Sequence, residues 1–279
     1  MLKETSLFDA SSLRAIVVTA ALALSLGACA STPSDPAARQ TAAEANDPIE
    51  PFNRQVFQFN RGVDFWIGKP IATTYNDLVP DYGKDRVKNV LDNLREPVNL
   101  LNNLMQGKWD RAWRNTQRFA VNSTVGVLGI FQVFDIEPAP EDFGQTLAVW
   151  GMSEGPFLVL PFLGPSNPRD ALGLAGDAVM DPFNIAAWAS GAAWLDYLGP
   201  ARFGLRGVDT RSRHLKSLDE IERTSIDYYA TIRSLYRQNR NDEIRDGKPG
   251  QLAPLPEISL EPSEPEKNST KVPVSQLMK

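Results

Sequence analysis

Apolar residues recur at Ile49, Phe52, Val56, Phe59, Val63 and Trp66, a 3-4-3-4-3 spacing that predicts one face of an amphipathic helix. Asp47-Pro48-Ile49-Glu50 supplies its start, with Asp as N-cap, Pro at the first position and Glu at the third. Phe57 and Phe65 fall off the stripe and widen the apolar surface. A second helix is predicted from Asp81 to Arg95 with Val87, Leu91 and Leu94 inward, broken or kinked at Pro97. The chain resumes through Val98, Leu101, Leu104 and Met105 and stops at Gly107. A third helix carries Trp109, Trp113, Thr116, Phe119, Ala120 and Ser123 on one side, with Arg111, Arg114 and Arg118 on other faces.

The pattern then changes. Val125–Phe131 is apolar with two glycines, and Pro138 and Pro140 lead into Glu141–Asp170, where Gly and Pro recur within an apolar stretch. Its apolar runs fall well short of the roughly 20 residues that a spanning helix needs. A short hairpin fits, with Leu147–Trp150 and Phe157–Leu160 as strands and Gly151–Gly155 as the turn. Such a segment is either a buried core hairpin or an apolar wall facing lipid. Asn167-Pro168 caps a helix over Arg169–Met180, which Asp181-Pro182 ends. Ile185–Leu198 is apolar nearly all round, with Trp188, Trp194 and Tyr197, so it belongs in protein or in one leaflet. Two polar helices follow, divided near Ser217; the second carries Ile221, Ser225, Tyr228, Tyr229, Ile232 and Tyr236, with Arg223, Arg233, Arg237 and Arg240 alongside. Beyond Asn241 the chain is rich in Pro and Glu and reads as a disordered tail.

Composition narrows the chemistry. The 279 residues suffice for one large domain or two small ones, and 42% hydrophobic content suffices for a core. A net charge of −5 argues against a nucleic-acid partner. One Cys permits no intramolecular disulfide, and one His, His214, leaves no room for histidine triads or Cys/His zinc sites. His214 sits in a polar run and reads as an ordinary surface residue. No nucleotide-binding, nucleophile-elbow or zinc-protease motif is present. The single Cys closes Leu26-Gly27-Ala28-Cys29, after an apolar run from Ala15 to Leu26 that suits a signal peptide. This resembles the lipobox of bacterial lipoproteins, Gly27 being a small departure. Residues 1–28 then form the signal, and Cys29 would carry a diacylglycerol thioether and an N-acyl chain at the head of a flexible tether, residues 29–46. At about 0.8 kcal/mol per buried CH₂, three acyl chains anchor permanently. Ala30, where Asp is absent, points to sorting to the outer membrane.

Asp47-Pro48-Ile49-Glu50-Pro51-Phe52-Asn53-Arg54 and Phe59-Asn60 resemble the MlaA (VacJ) family of outer-membrane lipoproteins. So do Phe143-Gly144-Gln145-Thr146-Leu147 through Gly155-Pro156 and Leu160-Pro161 to Arg169-Asp170, and Ser225-Ile226-Asp227-Tyr228-Tyr229 with Arg233. Lys69-Pro70 matches a basic-Pro pair that ends the first helix there. The likeness implies a mostly α, single ring-like domain over residues 47–240, built of amphipathic and kinked helices with a short β-hairpin, followed by a tail over 241–279. It would lie in the inner leaflet of the outer membrane, lipid-anchored at the periplasmic face. It further implies an amphipathic channel, a trimeric porin partner, and passage of phospholipid from the outer leaflet to a periplasmic MlaC-like carrier, which preserves lipid asymmetry. That is transport and not catalysis, with no metal and no cofactor beyond the lipid on Cys29. A phospholipid crossing unaided drags a charged head through hydrocarbon, and a polar lumen removes that cost. Small, mixed-polarity residues suit such a path: Val125, Gly126, Val127, Leu128, Gly129, Gly155, Pro156, Leu160 and Gly164 are the candidates. Two other readings are an envelope scaffold lipoprotein and a hydrolase using carboxylates among Glu141, Asp142, Asp170, Asp177 and Asp181.

Overall fold

The computed structural model describes residues 45–134, 136–191 and 197–247. Cys29 with its signal, most of the tether, Trp194 and the tail from residue 248 on lie outside the described residues. The described chain runs α1 (Glu50–Val63), a π turn (Asp64–Gly68), α2 (Lys69–Leu78), α3 (Asp81–Met105), α4 (Trp109–Thr124) and α5 (Phe143–Val149). It continues as β1 (Leu158–Leu160), β2 (Gly164–Ser166), α6 (Pro168–Met180), α7 (Pro182–Ser190), α8 (Leu198–Arg213), α9 (Leu215–Thr224) and α10 (Tyr228–Ile244). The fold is mostly helical with one small antiparallel sheet. No described helix is long and apolar enough to cross a membrane.

Several boundaries differ from the sequence expectation, each for a physical reason. α1 begins at Glu50 with Pro51 in its first turn, and the Asp47 carboxylate serves elsewhere. Lys69-Pro70 opens α2 and does not end a helix: the Lys69 N–H reaches back to the Asp64 carbonyl in the π turn, and the chain stays helical. α3 continues through Pro97, held on either side of it by the buried side chains of Glu96, Val98 and Asn99. The hairpin is displaced. Leu147–Val149 is helical because Asp142 and Gln145 form a capping box that starts α5. Gly151, at φ 93°, then takes the left-handed turn that ends it. The strands are β1 and β2, with Leu158 opposite Ser166 and Leu160 opposite Gly164. The apolar run from Ile185 is cut at Gly191, in the left-handed region, so α7 stops at Ser190. The break placed near Ser217 falls at His214, which is exposed and precedes α9. α10 runs beyond Asn241 to Ile244, and Asp246 pairs with Lys108 and Arg111 at 2.6 and 3.0 Å.

The apolar core is small. Phe57, Phe157, Val159 and Tyr229 form its centre, with Tyr229 edge-on to Phe57 and Phe157 at ring distances of 5.4 and 6.1 Å. Two asparagines of α1 hold the hairpin to it. Asn53 donates to the Phe157 carbonyl at 2.9 Å and accepts from the Val159 N–H at 3.0 Å. Asn60, two turns on, donates to the Leu160 carbonyl and accepts from the Phe162 N–H, both at 2.8 Å. These amides do for β1 what a third strand would do, and leave its edge satisfied.

Elsewhere the usual distribution is reversed. Among the described residues, about twice as many polar as apolar side chains are buried. On α4 the buried positions are Ala112, Asn115, Arg118 and Asn122, while Trp109 and Trp113 face outward. On α1 the stripe residues Phe52 and Phe59 are about half exposed, and the off-stripe Phe57 is core. The π turn projects Phe65, Trp66 and Ile67 into the surroundings, Trp66 at 77% exposure. Helical spacing located these helices; it did not say which face turns inward.

Candidate functional site

The inner faces are joined by ion pairs. On α3 and α4, Glu96 receives Arg118 Nε and Asn115 Nδ2, each at 2.7 Å, with all three buried. Arg118 also donates to the Ile136 carbonyl. At the other end, Arg240 of α10 clamps two carboxylates. Its guanidinium reaches Asp142 at 2.6 and 2.7 Å and Asp170 twice at 3.0 Å. Tyr236 donates to Asp170 at 2.5 Å and Arg169 does so at 3.1 Å. Burial pushes both carboxyls up, but Arg240 overcomes it and holds both below the usual carboxylate range. The clamp needs Gly144: a Cβ there would stand 2.6 Å from Arg240 Nη2. Asp47 forms a third node, accepting from Asn53, Tyr229 and Arg233 at 2.7, 2.5 and 2.8 Å. Asp47, Asn53, Gly144, Arg169, Asp170, Tyr229 and Arg233 all belong to the motifs that carry the family resemblance. They meet as cross-links between distant parts of the chain.

Beside this frame lies a cavity of about 630 Å³ between α3, α6, α7 and α8. α3 contributes Leu91, Leu94, Arg95 and Val98, one face at i, i+3, i+4 and i+7. Facing it are Phe203 with Arg202 and Arg206 of α8, and Trp188 of α7; Asp177 and Asp181 close the α6 end. Arg202 pairs with Asp181 at 2.7 Å. Arg206 donates to the Leu91 carbonyl at 2.6 Å and pairs with Asp92 at 3.2 Å. Arg95 meets Asp177 only at 3.4 Å. Burial pushes Asp177 up to about 6; the charge of Arg95 opposes this and that of Asp142 adds to it. The walls are therefore apolar with three guanidinium groups and two carboxylates set among them, a lining suited to a ligand with an apolar body and a charged head.

The nine residues proposed for a path from sequence fall elsewhere. Val125, Val127 and Leu128 are exposed on the loop after α4, with Gly126 and Gly129 buried beneath them. Val127 and Leu128 sit at positive φ, so the loop backbone is turned to present its side chains outward. Gly155 lies against Pro168, and Pro156, Leu160 and Gly164 belong to the hairpin region. None of the nine borders the cavity. The residues missed, Arg95, Arg202, Phe203 and Arg206, left a signal: charged positions interrupting the apolar faces of α3 and α8. The five acids of the hydrolase reading are all engaged. Glu141, buried and pushed up by burial, is bound by Gln106, Lys108 and Arg111. Asp142 and Asp170 hold Arg240, Asp181 accepts from the Phe183 N–H as the cap of α7, and Asp177 accepts from Asn102 and the Phe143 N–H. No group of three or more His, Cys, Asp or Glu among the described residues is arranged to hold a metal.

Comparison with known proteins agrees with the pattern. The model of the MlaA lipoprotein family matches residues 45–243. The intermembrane phospholipid transport system lipoprotein MlaA of Haemophilus influenzae is 31% identical over 83% of this chain and 91% of its own length. The protein of the same name from Escherichia coli K12 is 33% identical over 81% and 86%. An uncharacterized protein of Rickettsia bellii is 32% identical over 72% and 78%. A solved chain, from work on the structural basis for maintenance of bacterial outer membrane lipid asymmetry, superposes with a TM-score of 0.60 at 29% identity, covering 71% of this chain and 98% of that one. On the family match and these relatives, the chain belongs to the MlaA lipoprotein family.

Proposed function

We propose that this protein is an intermembrane phospholipid transport lipoprotein that maintains outer-membrane lipid asymmetry. Anchored through Cys29, it lies in the inner leaflet with its aromatic surface against acyl chains. Phospholipid arriving from the outer leaflet enters through the amphipathic cavity between α3 and α8 and leaves toward a soluble periplasmic carrier, with a trimeric porin holding the protein in place. The observation that carries this reading is the cavity: a space of about 630 Å³ whose walls combine Leu91, Leu94, Val98 and Phe203 with three arginines. A headgroup passing there exchanges hydration for fixed charges, and the tails keep apolar contact throughout. No bond is made or broken, so the step needs no nucleophile. Covalent lipid on Cys29 needs only the lipobox, and Cys29→Ala removes it.

The test is complementation in a strain deleted for its own family member. The wild-type chain is expected to clear phospholipid from the outer leaflet. Correctly anchored protein that leaves outer-leaflet phospholipid at the level of the deletion would overturn the reading.

A further inference from the structure

A second cavity, of about 370 Å³, adjoins the first. Its lining is of another kind, with Lys88, Asp92, Glu96, Asn99, Asp142 and Gln145 in place of leucines and aromatic rings. Arg95 and Arg206 border both spaces. They come from different helices, α3 and α8, and stand where the polarity of the wall changes. We propose that Arg95 and Arg206 form a phosphate-binding partition between an apolar chamber and a polar vestibule, taking the phosphodiester of a phospholipid as it passes. This rests on the transport reading and adds to it the group that is recognised and the residues that recognise it.

Nearest the partition, cations outnumber carboxylates by one. Three cations, Lys88, Arg95 and Arg206, face two carboxylates, Asp92 and Asp177; Lys88 shares Asp92 with Arg206 at 2.5 and 3.2 Å. The other acids lining the vestibule have partners of their own: Glu96 pairs with Arg118, Glu141 with Lys108 and Arg111, and Asp142 and Glu243 share Arg240. Arg95 has the longest ion pair of the group, 3.4 Å, and its side chain is 39% exposed. Arg206 is about as exposed, at 37%, and its guanidinium is lowered from its ordinary value first by burial and further by the charge of Arg95, although Asp92 opposes both. Two guanidinium groups close enough to repel are stabilised by a shared anion. Planar forks on opposite walls match the two non-bridging oxygens of a phosphodiester, which a neutral glyceride lacks.

The experiment uses the full lipidated chain in detergent, offered equal amounts of phosphatidylethanolamine and diacylglycerol in mixed micelles, with bound lipid measured by mass spectrometry after exchange. Wild type should bind the phospholipid in preference. Arg95→Gln, which gives up the 3.4 Å pair with Asp177, should reduce that preference about tenfold in protein whose melting temperature stays at the wild-type value. Arg95→Lys should recover part of it. Arg206→Gln should act likewise where its melting temperature stays at the wild-type value. Equal binding of both lipids by wild type, or an Arg95→Gln protein with undiminished preference, overturns the partition and leaves transport standing. Wild type that binds neither lipid overturns both. Inorganic phosphate as sole probe separates the two sources of the anion. Phosphate that binds Arg95 and Arg206 as tightly as lipid does, and displaces it, makes this a site for the free ion and overturns the lipid assignment.

Discussion

The seam between α3 and α4 and the outward face of α4 are built from one helix, and they obey opposite rules. Inward, Asn115 and Arg118 are buried on Glu96 and donate to the Ala139 and Ile136 carbonyls, and Asn122 is buried and accepts from the Val133 and Phe134 N–H groups. Outward, Trp109 and Trp113 are 69% and 62% exposed. In water this arrangement wastes the aromatic surface and charges the helix for desolvating an arginine. It becomes favourable when the outer face meets hydrocarbon, where the tryptophans are buried by the surroundings and polar groups have nowhere to go but inward. The seam then fixes the fold, and the rim chooses its solvent.

That contrast is broken hardest at Arg240. Arg240→Ala strands two carboxylates, Asp142 and Asp170, that are paired only through the inner network, and should cost about 3–5 kcal/mol in denaturant unfolding. A loss below about 1 kcal/mol would show that the clamp is solvated and does not hold α5, α6 and α10 together.

Asp177 sharpens the comparison from inside the cavity. Its carboxyl is raised by burial to about 6, so it takes up a proton on folding. The stability linked to it is greatest at or below 3.8 and falls as pH rises through about 6. Asp142 and Asp170 have the opposite sign: held low, they stabilise the fold above the usual carboxylate range and lose that contribution as pH falls through their lowered values. Asp177→Asn should therefore remove the decline between about pH 4 and 6, leave the acid limb in place, and raise stability at pH 7 by about 2 kcal/mol. A melting-temperature profile across pH reads this directly, and an unchanged slope in the variant would assign the decline to other groups.

The smallest effect on folding belongs to the rim. Trp66→Ser, at the π turn, should change unfolding stability by less than about 0.5 kcal/mol, since the ring touches little besides Phe65 at 5.1 Å. The same change should weaken partition of delipidated protein onto vesicles by about 1.5–3 kcal/mol. Equal partition of wild type and variant would remove Trp66 from the membrane-facing surface.

The sequence located most helices because 3.6-residue spacing and the Asn167-Pro168 cap are local. It misplaced the hairpin because the Asp142–Gln145 capping box, legible as an acid followed three residues later by Gln, outweighed the strand-like Leu147–Trp150. Facing was not legible. The stripe on α4 is legible in the sequence, but an apolar stripe points toward whatever is apolar, and for Trp113 that is not the protein. The cavity arginines escaped notice for a related reason. Arg95, Arg202 and Arg206 lie on different helices, and only packing of α3 against α8 brings them to one wall.

The central claim is that the aromatic exterior meets acyl chains. All five described tryptophans, Trp66, Trp109, Trp113, Trp150 and Trp188, are more than half exposed. The most direct test is therefore tryptophan emission from the full lipidated chain in vesicles, read against two quenchers. Phospholipid brominated along its acyl chains should quench most of the emission, and acrylamide in the aqueous phase should quench little. Strong quenching by acrylamide with none by brominated lipid would place these rings in water and contradict the account.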